Sequence, residues 1–280
     1  LLLKPIGNGK LSKRDGDKMG FPVFPLQWTN SAGETSRGYR EDGYFPEAFV
    51  NLLAMLGWNP GTEQELFSMD ELIKAFSLEK VGKSGAKFNP EKAKWFNKEY
   101  LRMKSDHELA ALFMPILESK GLHVDMEYVQ KVVTLIKERA SFVSDFWTIA
   151  SYLFISPAEF EKYGVKAGAA SAKPSDPNRA PDPRAKVYDD SLTAPFLAKD
   201  VDKFWKAEYY EEALDAMKNS EASALEDYIR EKGLSLGKVM NCIRLALTGA
   251  SSGLGIADII SFIGKDAALE RMAFAKERLG

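Results

Sequence analysis

The spacing of hydrophobic residues predicts that most of the chain is α-helical. From Pro46 onward, apolar side chains recur at intervals of three and four residues, which places them on one face of a helix. Gly57 ends the first of these runs. The pattern continues through residues 125–155 as one or two longer helices, and it resumes at about Asp202. Later breaks are predicted at Gly233, Gly249 and Gly264.

Polar residues ahead of the apolar runs indicate where helices begin. Ser68 and Glu71 have the spacing of a capping box, in which each side chain bonds the main chain of the other residue. Asn89 suits the N-cap position and Pro90 the first helical position. Asp106 opens a further run. The fold is therefore predicted to be mainly α.

Two regions lack the helical pattern. Residues 1–40 are rich in Gly and Pro, which predicts loops with short strands. Residues 164–187 contain almost no large apolar side chains. Such a stretch cannot bury enough surface to offset the entropy of ordering it, so we expect a flexible surface loop. Four regions are predicted on this basis: 1–40, 41–163, 164–203 and 204–280.

Composition narrows the function classes. With 45% hydrophobic residues in 280, the chain can form a packed core. Its single cysteine, Cys242, excludes an intrachain disulfide, and with only His107 and His123 beside it no metal site is predicted. We expect a cytoplasmic, reducing setting. No apolar stretch approaches the roughly 20 residues that span a bilayer, so no membrane partner is expected.

Charge is uneven along the chain, although the net charge is only −2. Residues 1–40 carry seven lysines and arginines against three carboxylates, and residues 87–104 carry six against two. Phosphate contacts need such local patches rather than a basic total. Alone, these patches would be interpreted as solvated basic faces.

A glycine-bracketed basic loop gives the most specific signal. Gly9-Lys10-Leu11-Ser12-Lys13-Arg14-Asp15-Gly16-Asp17 places three cations within five positions. Glycine lets a main chain approach a ligand closely, and lysine is a good point-charge partner for phosphate. Without further context, a mobile basic loop is the simpler interpretation.

The loop resembles the KMSKS signature of class I aminoacyl-tRNA synthetases, in the KLSKR form of the glutamyl and glutaminyl enzymes. Other segments resemble bacterial-type glutamyl-tRNA synthetases in the same order along the chain. The agreement is weak at residues 17–37 and 164–203. The matching segments are Gly38–Ala48, Leu53–Trp58, Phe67–Leu72, Lys87–Lys92, Trp95–Asn97 and Ile243–Gly249.

This resemblance implies elongated helical anticodon-binding domains, preceded by a short remnant of the Rossmann-type catalytic region. It also implies an ATP-dependent, magnesium-assisted ligase that attaches glutamate to tRNA-Glu through an adenylate, and that acts as a monomer. In that family the loop contacts ATP, which assigns this role to Gly9, Lys10, Leu11, Ser12, Lys13 and Arg14. The family's other catalytic motif and its glutamate pocket lie upstream. We therefore expect the chain alone to form no adenylate and to bind no cofactor tightly, and ATP–pyrophosphate exchange would contradict this.

The resemblance also assigns anticodon contacts. Arg139 lies at the edge of the apolar stripe that ends at Ile136, and in the family an arginine there reads the third anticodon base. Arg244 lies off the stripe of its own helix and is expected to face RNA. The turn that follows is expected to hold the first two bases. Its matching residues are Gly253, Leu254, Gly255 and Ile256.

Two alternatives remain open at this stage. Thr248–Ala257 reads TGASSGLGIA, the cofactor fingerprint of short-chain dehydrogenases, and Tyr100 and Lys104 have the spacing of their Tyr-x-x-x-Lys pair. That fingerprint must follow a buried parallel strand, and here the preceding pattern is helical. A non-enzymatic helical module that binds RNA or protein is the second alternative.

Overall fold

A computed structural model describes residues 2–7, 9–159, 196 and 198–280, apart from the side chains of Lys13, Arg14 and Asp17. The predicted flexible loop at 164–187 lies outside the described residues. Within them, the prediction of a mainly α fold is confirmed.

Thirteen α-helices are present in the described part of the chain: α1 (Lys13–Met19), α2 (Pro46–Met55), α3 (Met69–Ala75), α4 (Pro90–Met103), α5 (Asp106–Ser119), α6 (Met126–Ile136), α7 (Asp145–Phe154), α8 (Ala198–Phe204), α9 (Ala207–Asn219), α10 (Leu225–Glu231), α11 (Leu236–Thr248), α12 (Ile256–Ile263) and α13 (Lys265–Leu279). Three short 3-10 turns span Leu78–Lys80, Lys137–Arg139 and Ala222–Ala224.

Strands are few and short. β1 (Leu2–Leu3) pairs in parallel with β4 (Ala86–Lys87), with Leu2 opposite Ala86. β2 (Trp28–Thr29) pairs antiparallel with β3 (Thr35–Ser36), with Trp28 opposite Ser36. The expectation of loops and short strands in residues 1–40 is thus met, with α1 as an unpredicted helix.

The predicted helix starts are confirmed. Ser68 caps α3 in a capping box with Glu71, and Asn89 accepts hydrogen bonds from the first turn of α4. Helix α5 begins at Asp106, and Ser105 is its cap. One predicted boundary differs from the structure: the helical pattern was expected to resume at about Asp202, but α8 already begins at Ala198.

The chain divides into two compact units, Leu1–Phe146 and Trp147–Gly280. Two buried asparagines hold loops of the first unit. Asn51 Oδ1 accepts from the Phe67 N–H and the Tyr100 hydroxyl, both at 2.8 Å. Asn97 accepts from the Phe45 N–H at 2.8 Å and donates to the Ser141 carbonyl at 2.7 Å. Buried amides of this kind stabilise because their polar groups have partners.

The second unit is built around α11. The apolar stripe predicted from its sequence is fully buried: Val239, Cys242, Ile243 and Ala246. Helix α11 packs against α9, α10, α12 and α13. Burial raises the pKa of the Cys242 thiol to about 12, so this cysteine is an inert part of the core.

Candidate nucleic-acid interface

The basic loop is shorter than expected, because α1 begins inside it. Ser12 is the N-cap of α1 and forms a capping box with Asp15, so Lys13 and Arg14 belong to the first helical turn. Gly9 has φ +104°, a conformation that favours glycine, and Lys10 is exposed. The sequence signal for this helix is the Ser-x-x-Asp spacing itself.

Asp15 joins this cap to the start of the chain. Its carboxylate accepts from the Ser12 hydroxyl at 2.6 Å and lies 2.9 Å from the Lys4 ammonium. The hydrogen bonds from Ser12 and Lys4 lower the pKa of Asp15 to about 2. The carboxylate therefore stays charged and holds Ser12 at the end of the segment that carries Gly9 and Lys10.

Arg139 lies beyond the helix that was expected to carry it. Helix α6 ends at Ile136, and Arg139 is the last residue of the 3-10 turn Lys137–Arg139. We call this segment the Arg139 turn. The apolar stripe of α6 is buried as predicted, whereas Arg139 is exposed.

Ion pairs hold both neighbours of Arg139. The Lys137 ammonium lies 2.7 Å from Asp106 at the start of α5. The Glu138 carboxylate lies 2.8 Å from the guanidinium of Arg102 near the end of α4. The Arg139 turn is thus connected to two other helices, which limits the positions that the Arg139 main chain can take.

The second predicted contact is a turn between α11 and α12. Helix α11 ends at Thr248, and Gly249 follows with φ +74°, the left-handed conformation common after helices. We call residues 249–255 the α11–α12 turn. The side chain of Leu254 in this turn is buried at 2% exposure, and Ile256 is buried at 3%. Neither of these side chains is therefore accessible to RNA.

Arg244, which is expected to face RNA, also has a partner within the protein. Its guanidinium donates to the Leu254 carbonyl, so the arginine holds the α11–α12 turn. Sequence periodicity places Arg244 correctly off the buried stripe of α11. It cannot reveal an acceptor that the following turn folds back to provide.

Two residues that hold this turn were missed by sequence reasoning. The Tyr152 hydroxyl accepts from the Leu254 N–H at 3.1 Å. Arg271 donates to the Tyr152 carbonyl at 2.8 Å and to the Leu247 carbonyl at 2.9 Å. Neither residue lies in a motif, and both are distant from the turn in sequence.

The dehydrogenase alternative is excluded by the same region. The segment before TGASSGLG is helix α11, where a dinucleotide fold needs a parallel strand. Tyr100 is also committed elsewhere, since its hydroxyl bonds Asn51 at 2.8 Å and the Phe67 carbonyl at 2.6 Å. Lys104 ends α4 as its C-cap.

The basic patch at residues 87–104 is largely paired with acids. In the patch at 87–104, Lys92 lies 2.6 Å from Glu65, and Arg102 lies 3.0 Å from Glu99. Over the described part of the chain, Lys87 and Lys98 are the members of this patch that form no ion pair. The charge excess available to a phosphate is therefore smaller than the sequence count predicts.

Three of the five tryptophans are buried: Trp58, Trp147 and Trp205. Trp28 is 49% exposed, and Trp95 is half-buried with the Lys92 ammonium 3.8 Å from its ring centre. Among the residues that the structure covers, no cluster of His, Cys, Asp or Glu could hold a metal ion. None of the described helices has the length and apolar character needed to cross a membrane.

Two models of known protein families match the chain. Residues 195–276 match the family model of an anticodon binding domain. Residues 6–95 match the family model of the catalytic domain of class I tRNA synthetases for E and Q. The first match contains the α11–α12 turn, and the second contains the Gly9–Arg14 loop.

Glutamate–tRNA ligases are among the proteins that are similar to this chain. Those of Phocaeicola vulgatus and Parabacteroides distasonis are 44% and 45% identical over 280 residues, which is 100% of this chain and 50% of each relative. A crystal structure of the glutamate tRNA ligase from Elizabethkingia meningosepticum, in complex with its amino acid, matches with a TM-score of 0.79 and 40% identity. That match covers 100% of this chain and 51% of the other. The resemblance is confirmed, and the chain spans about half the length of the curated relatives it matches.

Proposed function

Because the whole chain is similar to one half of bacterial glutamate–tRNA ligases, we propose that it is the tRNA-recognition portion of such an enzyme. The parent would attach glutamate to tRNA-Glu through an ATP-derived glutamyl-adenylate. The match of residues 195–276 to an anticodon binding domain carries this proposal. We place the parent in the cytoplasm, acting as a monomer.

The Arg139 turn supports recognition of the third anticodon base. Glutamate anticodons end in C and glutamine anticodons end in G. The pairing edge of cytosine offers O2 and N3 acceptors to a guanidinium, whereas guanine presents N–H donors there. A side chain on an exposed turn that ion pairs hold on both sides suits such a contact. Arg139 is therefore our candidate for discrimination between the two tRNAs.

The α11–α12 turn supports contacts to the first two bases. Gly253 and Gly255 have no side chain beyond Cα, and the side chains of Leu254 and Ile256 are buried. Recognition here would therefore use main-chain groups and the shape of the turn. Arg244 contributes by holding the turn.

The Gly9–Arg14 loop supports a role with ATP in the parent enzyme. Lys10 is exposed beside Gly9. Because glycine has no side chain, a phosphate could approach the main chain closely at this position. A lysine here would stabilise negative charge as pyrophosphate departs. Lys13 follows the cap of α1 and would act in the same way. Magnesium would accompany ATP, and glutamate would be the other substrate.

The proposal is tested by measuring how tightly the unmodified chain and Arg139→Gln bind tRNA-Glu and tRNA-Gln. The unmodified chain is expected to bind tRNA-Glu more tightly than tRNA-Gln, and Arg139→Gln is expected to reduce that preference about tenfold, since one base contact discriminates by ~1–3 kcal/mol. Lys131→Gln is the control, because Lys131 lies on α6 and pairs with the exposed Glu127. Equal binding of both tRNAs by the unmodified chain would contradict the proposal.

A further inference from the structure

Leu254 in the α11–α12 turn has both of its main-chain polar groups held by side chains from other parts of the second unit. Its N–H donates to the Tyr152 hydroxyl at 3.1 Å, and its carbonyl accepts from the Arg244 guanidinium. Its side chain is buried. Leu254 therefore fixes the end of the turn that leads into α12, and its neighbours Gly253 and Gly255 follow its position.

Tyr152 is itself held in place. It is buried at 9% exposure, and its carbonyl accepts a hydrogen bond from Arg271 at 2.8 Å. The same Arg271 nitrogen lies 2.9 Å from the Leu247 carbonyl in the last turn of α11. A single guanidinium thus joins the main chain of Tyr152 to the helix that leads into the turn.

Gly253 shows how closely the Tyr152 hydroxyl approaches. Its φ is +151°, which side-chain-bearing residues rarely adopt, and a Cβ at this position would lie 3.0 Å from the Tyr152 oxygen. A glycine next to Leu254 is therefore what lets the hydroxyl reach the Leu254 N–H. The close approach of the Tyr152 hydroxyl therefore depends on glycine at position 253.

We propose that Tyr152 is a positioning residue for anticodon specificity, acting through Leu254 on the α11–α12 turn. The inference rests on the proposed function. Without the hydroxyl, the buried Leu254 N–H has no acceptor, so the turn shifts or opens to find one. Recognition of the first two anticodon bases then weakens. Recognition of the third base is unchanged, since the Arg139 turn belongs to the other unit.

The test uses Tyr152→Phe, which keeps the buried ring and removes only the hydroxyl. Tyr228→Phe is the matched control, because it removes a hydroxyl that bonds Asp215 at 2.8 Å on the surface of the same unit. Binding is measured to tRNA-Glu and to three variants, each substituted at one anticodon base. In parallel, amide hydrogen exchange is measured at Leu254.

For Tyr152→Phe we expect about fivefold weaker binding of tRNA-Glu, the equivalent of one lost hydrogen bond. Discrimination should fall at the first two bases and stay unchanged at the third, and exchange at the Leu254 amide should accelerate. Tyr228→Phe should match the unmodified protein in all of these. A merely structural role of Tyr152 would weaken binding of all four tRNAs equally.

The results separate two kinds of failure. If the unmodified chain discriminates at all three bases and Tyr152→Phe does the same, the positioning role is overturned and the proposed function stands. Unchanged exchange at the Leu254 amide would overturn the role as well. If the unmodified chain does not prefer tRNA-Glu over the tRNAs with a substituted anticodon base, the proposed function is wrong. The positioning role of Tyr152, which rests on that function, is then wrong as well.

Discussion

The two turns that are proposed to contact the anticodon are held by different forces. Ion pairs at the protein surface hold the Arg139 turn, through Lys137 and Glu138. Buried hydrogen bonds to main-chain groups hold the α11–α12 turn, through Tyr152 and Arg244. The first kind weakens in salt and tolerates substitution, whereas the second depends on single atoms.

This difference fits the role that is proposed for each turn. A guanidinium on a long side chain can adjust to its base, so its turn needs only approximate placement. A turn that would present main-chain groups has no such freedom, because its specificity would lie in the backbone itself. The comparison predicts large, salt-independent effects in the second unit and small, salt-dependent effects around Arg139.

The largest effect is expected for Arg271→Met. The side chain keeps its apolar bulk, but the Tyr152 and Leu247 carbonyls both lose a charged donor. Hydrogen bonds to charged groups contribute ~1.5–3 kcal/mol, so we expect about 3 kcal/mol of destabilisation, measured by urea unfolding.

Arg230→Met is the control, because Arg230 forms exposed pairs within α10, with Glu226 and Asp227. It should change stability by about 0.5 kcal/mol or less. If the two variants were equally stable, the hydrogen bonds of Arg271 to the Tyr152 and Leu247 carbonyls would contribute nothing measurable to stability.

A smaller effect is expected for Gly253→Ala. Alanine must adopt φ +151° and place its Cβ 3.0 Å from the Tyr152 oxygen, which costs about 2 kcal/mol of strain. Gly237→Ala is the matched control: Gly237 is exposed in helix α11, and a Cβ added there would meet nothing within 4 Å. At Gly237, alanine should stabilise by up to ~1 kcal/mol. Both variants are compared with the unmodified protein by thermal unfolding. A change in stability of the same sign for both substitutions would contradict the steric argument.

The smallest effect is expected for Lys137→Met in the Arg139 turn. Both partners of the pair are partly exposed, at 23% for Lys137 and 22% for Asp106, so we expect about 1 kcal/mol at low salt, shrinking as salt screens the pair. Lys131→Met is the control, since Lys131 and its partner Glu127 are mostly exposed. An effect of Lys137→Met that did not change with salt would refute the surface ion-pair account.

The same pair predicts a pH dependence. Burial raises the pKa of Asp106, but hydrogen bonds from Lys137 and Thr134 and the charge of Lys137 outweigh it, so the pKa lies below its ordinary value of 3.8. Because the folded pKa is the lower one, the stabilisation is fully present above pH 3.8 and disappears as the pH falls through the folded pKa. The stability difference between the unmodified protein and Lys137→Met should therefore vanish in acid.

The helices were predictable because their signals are local. Ser68 and Asn89 cap helices a few residues away, and the stripe of α11 repeats at helical spacing. Helix α1 carries an equally local signal, the capping box of Ser12 with Asp15. It was not predicted because that box lies within a glycine-bracketed motif whose composition favours a loop.

The groups that hold the turns could not be predicted in this way. Tyr152 and Leu254 are 102 residues apart, and Arg271 and Tyr152 are 119 apart. Asn97 and Ser141, which are 44 apart, likewise meet only in the folded first unit. No periodicity or motif relates such pairs, because each bond depends on how separate helices pack. The candidate base contacts could therefore be located from motifs, whereas the groups that hold them emerge only in the fold.

An anticodon exchange tests the central claim most directly. Binding of the unmodified chain is measured to tRNA-Glu, to tRNA-Gln, and to each of these carrying the other's anticodon. The account predicts that affinity follows the anticodon, so that tRNA-Gln with the glutamate anticodon binds more tightly than tRNA-Glu with the glutamine anticodon. Affinity that followed the tRNA body, or that did not distinguish the four, would contradict it.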